Sequence, residues 1–385
     1  MPHRKRPAAL LAVVVALLGS PAVAGVDSSL VIDAVEGYDS NPLELDEGGP
    51  AGPYTEAALD GMIGFQWSRR AGAFVRADGS TRFYRSESAN AGRSNGNLEM
   101  GMAFSPYRRA DRRFSFSFGG RYGLSRSTFV DPATGEVYAV TPDPNSTVEI
   151  PDRFDYDTTG AFLNLRWRVH KRVLLMMDGD LEHRKFVADY SESAGIAPLD
   201  DRSLKLAPGI RLDFTERVGV DLSLEWTDRR FEDLESVDEN AATVADTQRH
   251  YRYAGGRAAL RLEPTESFKI ATGVQRIERS DLFADYYDST GTVSFVSTVW
   301  SVAKGLRIGL DASERMTRYA NATVDSDPGG VRRRGEMLRA RGWAEKDLAE
   351  HVGVLLEFGI DRTDDRDPVY EYERNWVQAG ARFRL

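Results

Sequence analysis

The chain has 385 residues, 41% hydrophobic and 28% charged, with no cysteine and a formal charge of −9. Without cysteine there is no disulfide framework, thiolate metal site or Cys nucleophile, and the acidic balance argues against a general nucleic-acid binder. Beyond residue 24 no apolar run approaches the ~20 residues of a spanning helix, while 35 Gly, 6 Trp, 15 Tyr and 18 Phe point to strands.

Residues 1–24 open with His3-Arg4-Lys5-Arg6, run apolar from Ala8 to Leu18, and place Ala22 and Ala24 as small residues before Gly25. This pattern reads as a secretory signal peptide cleaved before Gly25, leaving residues 25–385 as one β domain. Loss of Arg4, Lys5 and Arg6 takes the charge from −9 to −12. Export of a cysteine-free chain rich in glycine and aromatics predicts the outer membrane or periplasm of a Gram-negative cell.

From there one rhythm repeats. Sixteen segments alternate apolar with polar or small residues, near 28–38, 55–67, 73–84, 95–106, 113–126, 154–167, 173–187, 202–214, 218–232, 248–263, 267–280, 286–300, 306–319, 333–346, 351–364 and 371–385. Phe114 to Leu124 is the cleanest, with apolar even positions and Ser, Gly or Arg at the odd ones. Period two means a strand with two different faces. The segments 286–300 and 28–38 can be read in either phase. Even-to-odd connections are short, whereas most odd-to-even connections are longer, up to about 27 residues after the fifth segment. That lopsidedness predicts an all-β fold: a single transmembrane antiparallel up-and-down β-barrel of about 16 strands. Short turns face the periplasm and long loops the exterior. In lipid only closure satisfies every strand backbone group, so apolar residues face out and polar ones line the lumen.

Aromatics cluster at both ends. Trp67, Phe104, Phe114, Trp167, Phe214, Phe268, Trp300 and Phe383 fall near the short turns. Tyr38, Phe83, Tyr84, Trp226, Tyr251, Tyr286, Tyr319, Tyr372 and Trp376 fall near the long loops. Both sets are expected to form interfacial girdles. The C-terminal strand carries Val377, Ala379, Ala381, Phe383 and Leu385 on one face. It looks like the signal that outer-membrane barrels present to their assembly machinery, with Leu385 in place of the usual Phe.

The inward face is expected to carry Arg76, Arg82, Arg121, Arg166, Arg211, Arg257, Arg261, Arg307, Arg339, Arg341 and Arg382. It also carries Asp60, Asp78, Glu99, Asp178, Asp180, Glu182, Asp213, Asp221, Glu225, Asp311 and Glu357. Such charges either pair across strands and hold the wall or set a field that selects solutes. Sixteen strands leave an aqueous channel unless something narrows it. The third long loop, 127–153, carries Asp131, Glu136, Asp143 and Glu149. It resembles in position, length and charge the inward-folded loop of sixteen-stranded general porins, whose acidic residues face wall arginines; a loop that stays outside is the other reading.

Gly37-Tyr38-Asp39-Ser40-Asn41-Pro42 resembles the opening motif of the β-barrel porin 2 family of outer-membrane barrels. Association with exopolysaccharide operons is what that resemblance implies. No HExxH or close His pair appears, and Asp180-Glu182-His183 is read as wall residues rather than a catalytic set. Asp361, Asp364, Asp365 and Asp367 form an acidic loop, read as simply solvated, with Ca²⁺ binding or contact with divalent-bridged lipopolysaccharide as the other readings. Ala254-Gly256-Ala258 and Ala340-Gly342-Ala344 are candidate small-residue seams between protomers. No covalent chemistry and no cofactor are expected. The readings are a passive channel for small polar solutes, a conduit for exopolysaccharide, or a structural or adhesive barrel with a plugged lumen. Partners would be outer-membrane lipids and lipopolysaccharide, the assembly machinery, and for the conduit a polysaccharide export apparatus.

Overall fold

The computed structural model describes residues 25–42, 51–68, 70–85, 92–105, 113–126, 155–186, 199–324, 330–366 and 371–385. The expected leader and the loop bearing Asp131, Glu136, Asp143 and Glu149 lie outside them.

The strands are β1 (Val26–Asp39), β2 (Gly52–Gln66), β3 (Ala71–Tyr84), β4 (Arg93–Phe104), β5 (Phe114–Arg126), β6 (Tyr156–His170), β7 (Val173–Phe186), β8 (Asp201–Asp213) and β9 (Val218–Phe231). After them come β10 (Ser236–Val237), β11 (Thr243–Val244), β12 (His250–Thr265), β13 (Phe268–Asp281), β14 (Ser289–Ala303), β15 (Leu306–Thr323), β16 (Arg332–Asp347), β17 (Val352–Asp365) and β18 (Tyr372–Arg384). Each sixteen-strand neighbour pair is antiparallel in chain order, and β1 closes the wall against β18. The tiny β10–β11 hairpin stands apart in the loop after β9. Within it Asp238 accepts N–H bonds from Ala242 and Asn240, which hold its carboxyl below the usual range.

Pairing followed around the wall returns to β1 displaced by about 20 residues. With a rise of ~3.3 Å and a strand spacing of ~4.8 Å, this shear tilts the strands by about 40° and sets a radius of about 16 Å. Such a wall is too wide for its own side chains to fill.

Ion pairs identify the inner face. Arg121 on β5 reaches Asp180 on β7, and Arg382 on β18 reaches Glu345 on β16, each passing over an intervening strand. Side chains two strands apart converge only on the concave side. Directly paired residues share a face, so the register extends that assignment around the barrel. The convex face carries open apolar side chains including Met100, Phe118, Leu163, Leu181, Leu224, Leu310, Leu356 and Phe358. Pro208 sits on this face in mid-β8, and the β8–β9 ladder skips Ala207 and Pro208, as a residue without N–H requires. Of the two candidate seams, the one at Gly342 is filled: a Cβ there would collide with the Phe358 ring.

The aromatic rims differ from the expectation. At the short-turn end Trp67, Trp167, Phe214, Trp300 and Phe383 are open on the outer face, and Phe104, Phe114 and Phe268 share it by register. Of the nine expected at the long-loop end, Tyr38, Phe83 and Trp226 face outward. Tyr84, Tyr251, Tyr319 and Tyr372 turn inward and are buried, Trp376 pairs inward opposite Gly359, and Tyr286 is buried under the loops with Tyr319 and Val237.

The seam is held by the Gly37–Pro42 motif. Asp39 is fully buried and accepts bonds from Arg374 on β18 at 2.7 Å, from Arg82 at 3.3 Å and from the Tyr84 hydroxyl at 2.7 Å, both on β3. Ser40 and Asn375 exchange bonds across the same joint, and Asn41 donates to the Glu373 carbonyl. Gly37 leaves room for the Tyr54 ring, which donates to Gln378. Removing one partner of a buried ion pair costs about 3–5 kcal/mol. Asp39→Ala is therefore expected to destabilise the barrel by about that amount, read as a lower denaturant midpoint and a lower temperature for the heat-modified band shift on gels. An unchanged midpoint removes the clasp role.

Candidate functional site: the inner wall

Alternation places one side chain in two toward the lumen, and the sequence-predicted wall residues all occupy that face. Most are tied to carboxylates. Arg76 meets Asp60 at 2.9 Å, Arg82 meets Glu56 at 2.7 Å, and Arg166 meets Asp178 at 2.8 Å. Arg211 meets Asp221 at 2.8 Å; Arg261 bridges Asp213 and Asp221. Arg307 and Arg382 share Glu345, both at 2.7 Å, Arg341 pairs with Glu357, and Arg339 lies 3.6 Å from Asp361. Arg121 is the most heavily engaged, with Asp180 at 2.5 Å, Glu182 at 2.9 Å and Glu99 at 3.8 Å. Arg257 differs: among the described residues it forms no ion pair, and its guanidinium lies 4.6 Å from the Phe295 ring centre. The juxtaposition of these arginines with the acidic loop residues falls outside the described residues.

Asp180 and Glu182 face inward on Arg121, whereas His183 faces outward near Glu232, so these three do not converge. Of the acidic group, Asp361 and Asp365 are held by Arg339 and Arg333 inside, and Asp364 by Arg362 outside; Asp367 is outside the described residues.

Several of the inward aromatics stand directly opposite a glycine. Tyr54 pairs with Gly37, Phe162 with Gly119, Phe295 with Gly273, Trp343 with Gly309 and Trp376 with Gly359. A Cβ on Gly309 or Gly359 would collide with the indole ring, so each ring lies down on the wall. Arginines cover three of the five: Arg82 over Tyr54, Arg121 over Phe162 and Arg257 over Phe295. Trp343 and Trp376 have no such cover among the described residues and stay half-exposed.

Two recesses open from the wall. One of about 350 Å³ spans β5 to β15 and contains Arg121, Arg184, Lys205, Arg279 and Arg315 against Asp180, Glu182 and Glu225. The other, about 290 Å³, lies at the seam beside Trp376, Arg341, Glu357 and Gln378. Sequence patterning missed Arg374, Trp343 and the inward turn of Trp376. The last shares its parity with Gln378, Gly380 and Arg382, and that signal was present.

No protein-family model and no curated protein matches the sequence, so the likeness to the β-barrel porin 2 family rests on the six residues Gly37–Pro42 with chain length and strand layout. Among solved structures, Pseudomonas putida OprB is similar at 9% identity over 94% of each chain, with a TM-score of 0.51. OccAB3 of Acinetobacter baumannii aligns over 93% of this chain and 100% of its own at 10% identity and 0.49. Outer-membrane OmpT of Vibrio cholerae aligns over 95% and 99% at 11% and 0.49. The fold is that of an outer-membrane β-barrel. At such identities the likeness is one of architecture.

Neutralising Arg121 uncovers the carboxylates around it. A unit charge near 4 Å acts with about 1 kcal/mol even under water-like screening, or up to about fivefold in relative permeability. For a conducting barrel, Arg121→Gln is expected to shift the reversal potential toward cations in a salt gradient. An unmoved potential limits Arg121 to holding the wall. Gly309→Val is expected to lift Trp343 off the wall and lower single-channel conductance.

Proposed function

We propose that the chain is an outer-membrane channel for passive diffusion of small polar solutes, exported by a leader at residues 1–24 and inserted by the assembly machinery through β18. The observation that carries this reading is the division of one closed wall into an apolar convex face and an ion-paired concave face around a radius of about 16 Å. Paired charges keep the inner wall wet without a strong net field, which suits modest rather than steep ion selectivity. None of the wall residues is assigned covalent chemistry.

A second reading has a specific observation in its favour. Trp343 and Trp376 present uncovered ring faces toward the lumen, the second beside Arg341, Glu357 and Gln378 in the seam recess. Flat aromatic faces bordered by hydrogen-bonding groups suit sugar rings, and so favour passage of a polysaccharide delivered by a separate export apparatus.

Planar-bilayer recording of the refolded full-length chain separates the two. The channel reading expects large ohmic steps with modest ion selectivity from the protein alone. Silence until export partners are added supports the conduit, and silence under both conditions leaves a plugged structural barrel.

A further inference from the structure

Four neighbouring strands present a basic side chain in one continuous row on the outer face at the long-loop end. His183 on β7 stands directly opposite Arg202 on β8, Arg202 opposite Arg230 on β9, and Arg230 opposite His250 on β12. Their chain neighbours Glu182, Arg229 and Tyr251 face the lumen, so alternation puts the row on the lipid side. The Arg202 and Arg230 side chains are 69% and 67% exposed.

Like charges directly opposite each other across a strand pair are destabilising, so the row calls for anions. Two are built in. Glu232 accepts Arg202 at 2.6 Å and lies 3.5 Å from His183; Asp228 accepts Arg230 at 3.0 Å and contacts His250 at 2.9 Å. Two further outward cations, Lys185 and Arg252, form no ion pair among the described residues. Asp200, beside Lys185, is turned to accept the Phe186 N–H at 2.7 Å. Asp157, directly opposite Lys185, is taken up by Arg126 at 2.6 Å; the rest of the patch sets Lys185, Arg202, Arg230 and Arg252 against Asp200, Asp228 and Glu232, with two histidines in addition.

Its height is fixed by the strands beneath it. From Phe214 at the short-turn rim, the outward residues of β8 are Leu212, Ile210, Pro208, Leu206 and Leu204 before Arg202 is reached. Those twelve residues rise about 30 Å at a tilt of about 40°, just past the ~25 Å apolar band of such barrels. The outward residues of β9 are likewise uncharged up to Trp226. The row therefore lies at head-group level and points sideways into one leaflet, while the opposite rim of the same sector shows Phe214, with Trp167 and Phe268 on the flanking strands, and apolar residues elsewhere on its outer face. A bilayer with the same head groups on both sides gives no reason for that difference. Three strand spacings make the row ~14 Å wide, enough for a head group with two phosphates, which arginines bind by paired charge-assisted bonds.

We propose that the row His183–Arg202–Arg230–His250, with Lys185 and Arg252, is a docking site for a multiply phosphorylated glycolipid in the leaflet at the long-loop end. The proposal rests on the membrane reading of the barrel and is independent of whether it conducts. Native mass spectrometry and thermal unfolding of the folded full-length protein in detergent test it, with diphosphoryl lipid A, dephosphorylated lipid A and phosphatidylglycerol as probes. Diphosphoryl lipid A is expected to bind at least tenfold tighter than either of the others. That preference should disappear in the double variant Arg202→Ser, Arg230→Ser and persist in Arg362→Ser, on a distant sector of the same rim. Equal binding of the three lipids by the wild-type chain overturns the site, and this comparison holds even should the double variant not fold. A preference that survives the double variant also overturns it. A chain that stays soluble without detergent defeats the membrane reading instead.

Discussion

A peptide group in hydrocarbon has no water to bond with, so each N–H and C=O in the wall must find a partner within the protein. For strands that requirement is met only by closure, and closure fixes nearly everything else. It makes the first strand the neighbour of the last, gives every strand one wet and one greasy face, and ties strand number and shear to a single radius. The fully buried Asp39 belongs to the same constraint. The joint between β1 and β18 has no covalent turn to hold it. A carboxylate gripped by arginines from both sides supplies a specific lock where hydrogen-bonded ladder alone would tolerate slippage.

The concave face shows how a wide barrel manages charge. Its arginines are mostly met by carboxylates on the adjacent or the next-but-one strand, so the wall is stiff and close to neutral along much of its circumference. Aromatic rings laid on glycines save radial space: a ring flat against the wall occupies little of the passage, whereas an upright one would block it. Where an arginine covers the ring the surface is sealed. Trp343 and Trp376, left uncovered, present flat apolar faces on the described wall.

Strand number, closure and the facing of the charged residues were legible in the sequence because period two is a local property and the charges obey it. Register was not. That Trp376 sits over Gly359, or Trp343 over Gly309, depends on which residues stand side by side on different strands, and no single segment encodes that. The outer aromatic rim was misplaced for a different reason. Tyr251, Tyr319 and Tyr372 have the right height for a girdle, but height and face are independent coordinates. Their parity, shared with Arg257, Arg307 and Arg382, turns them inward. The six residues Gly37–Pro42 were legible only as a family-like motif and not as a clasp, because the partners that give Asp39 its role, Arg82, Tyr84 and Arg374, are scattered along the chain.

The distance between those partners has a temporal meaning. Asp39 emerges from synthesis early, and its principal counter-ion lies 335 positions later. Until the closing strand arrives, Asp39 has only Arg82 and the Tyr84 hydroxyl of β3 to meet it and lacks its principal partner. A barrel lacking that strand leaves the carboxylate short of its main counter-ion, so the lock at this joint is complete only when both ends of the wall have met.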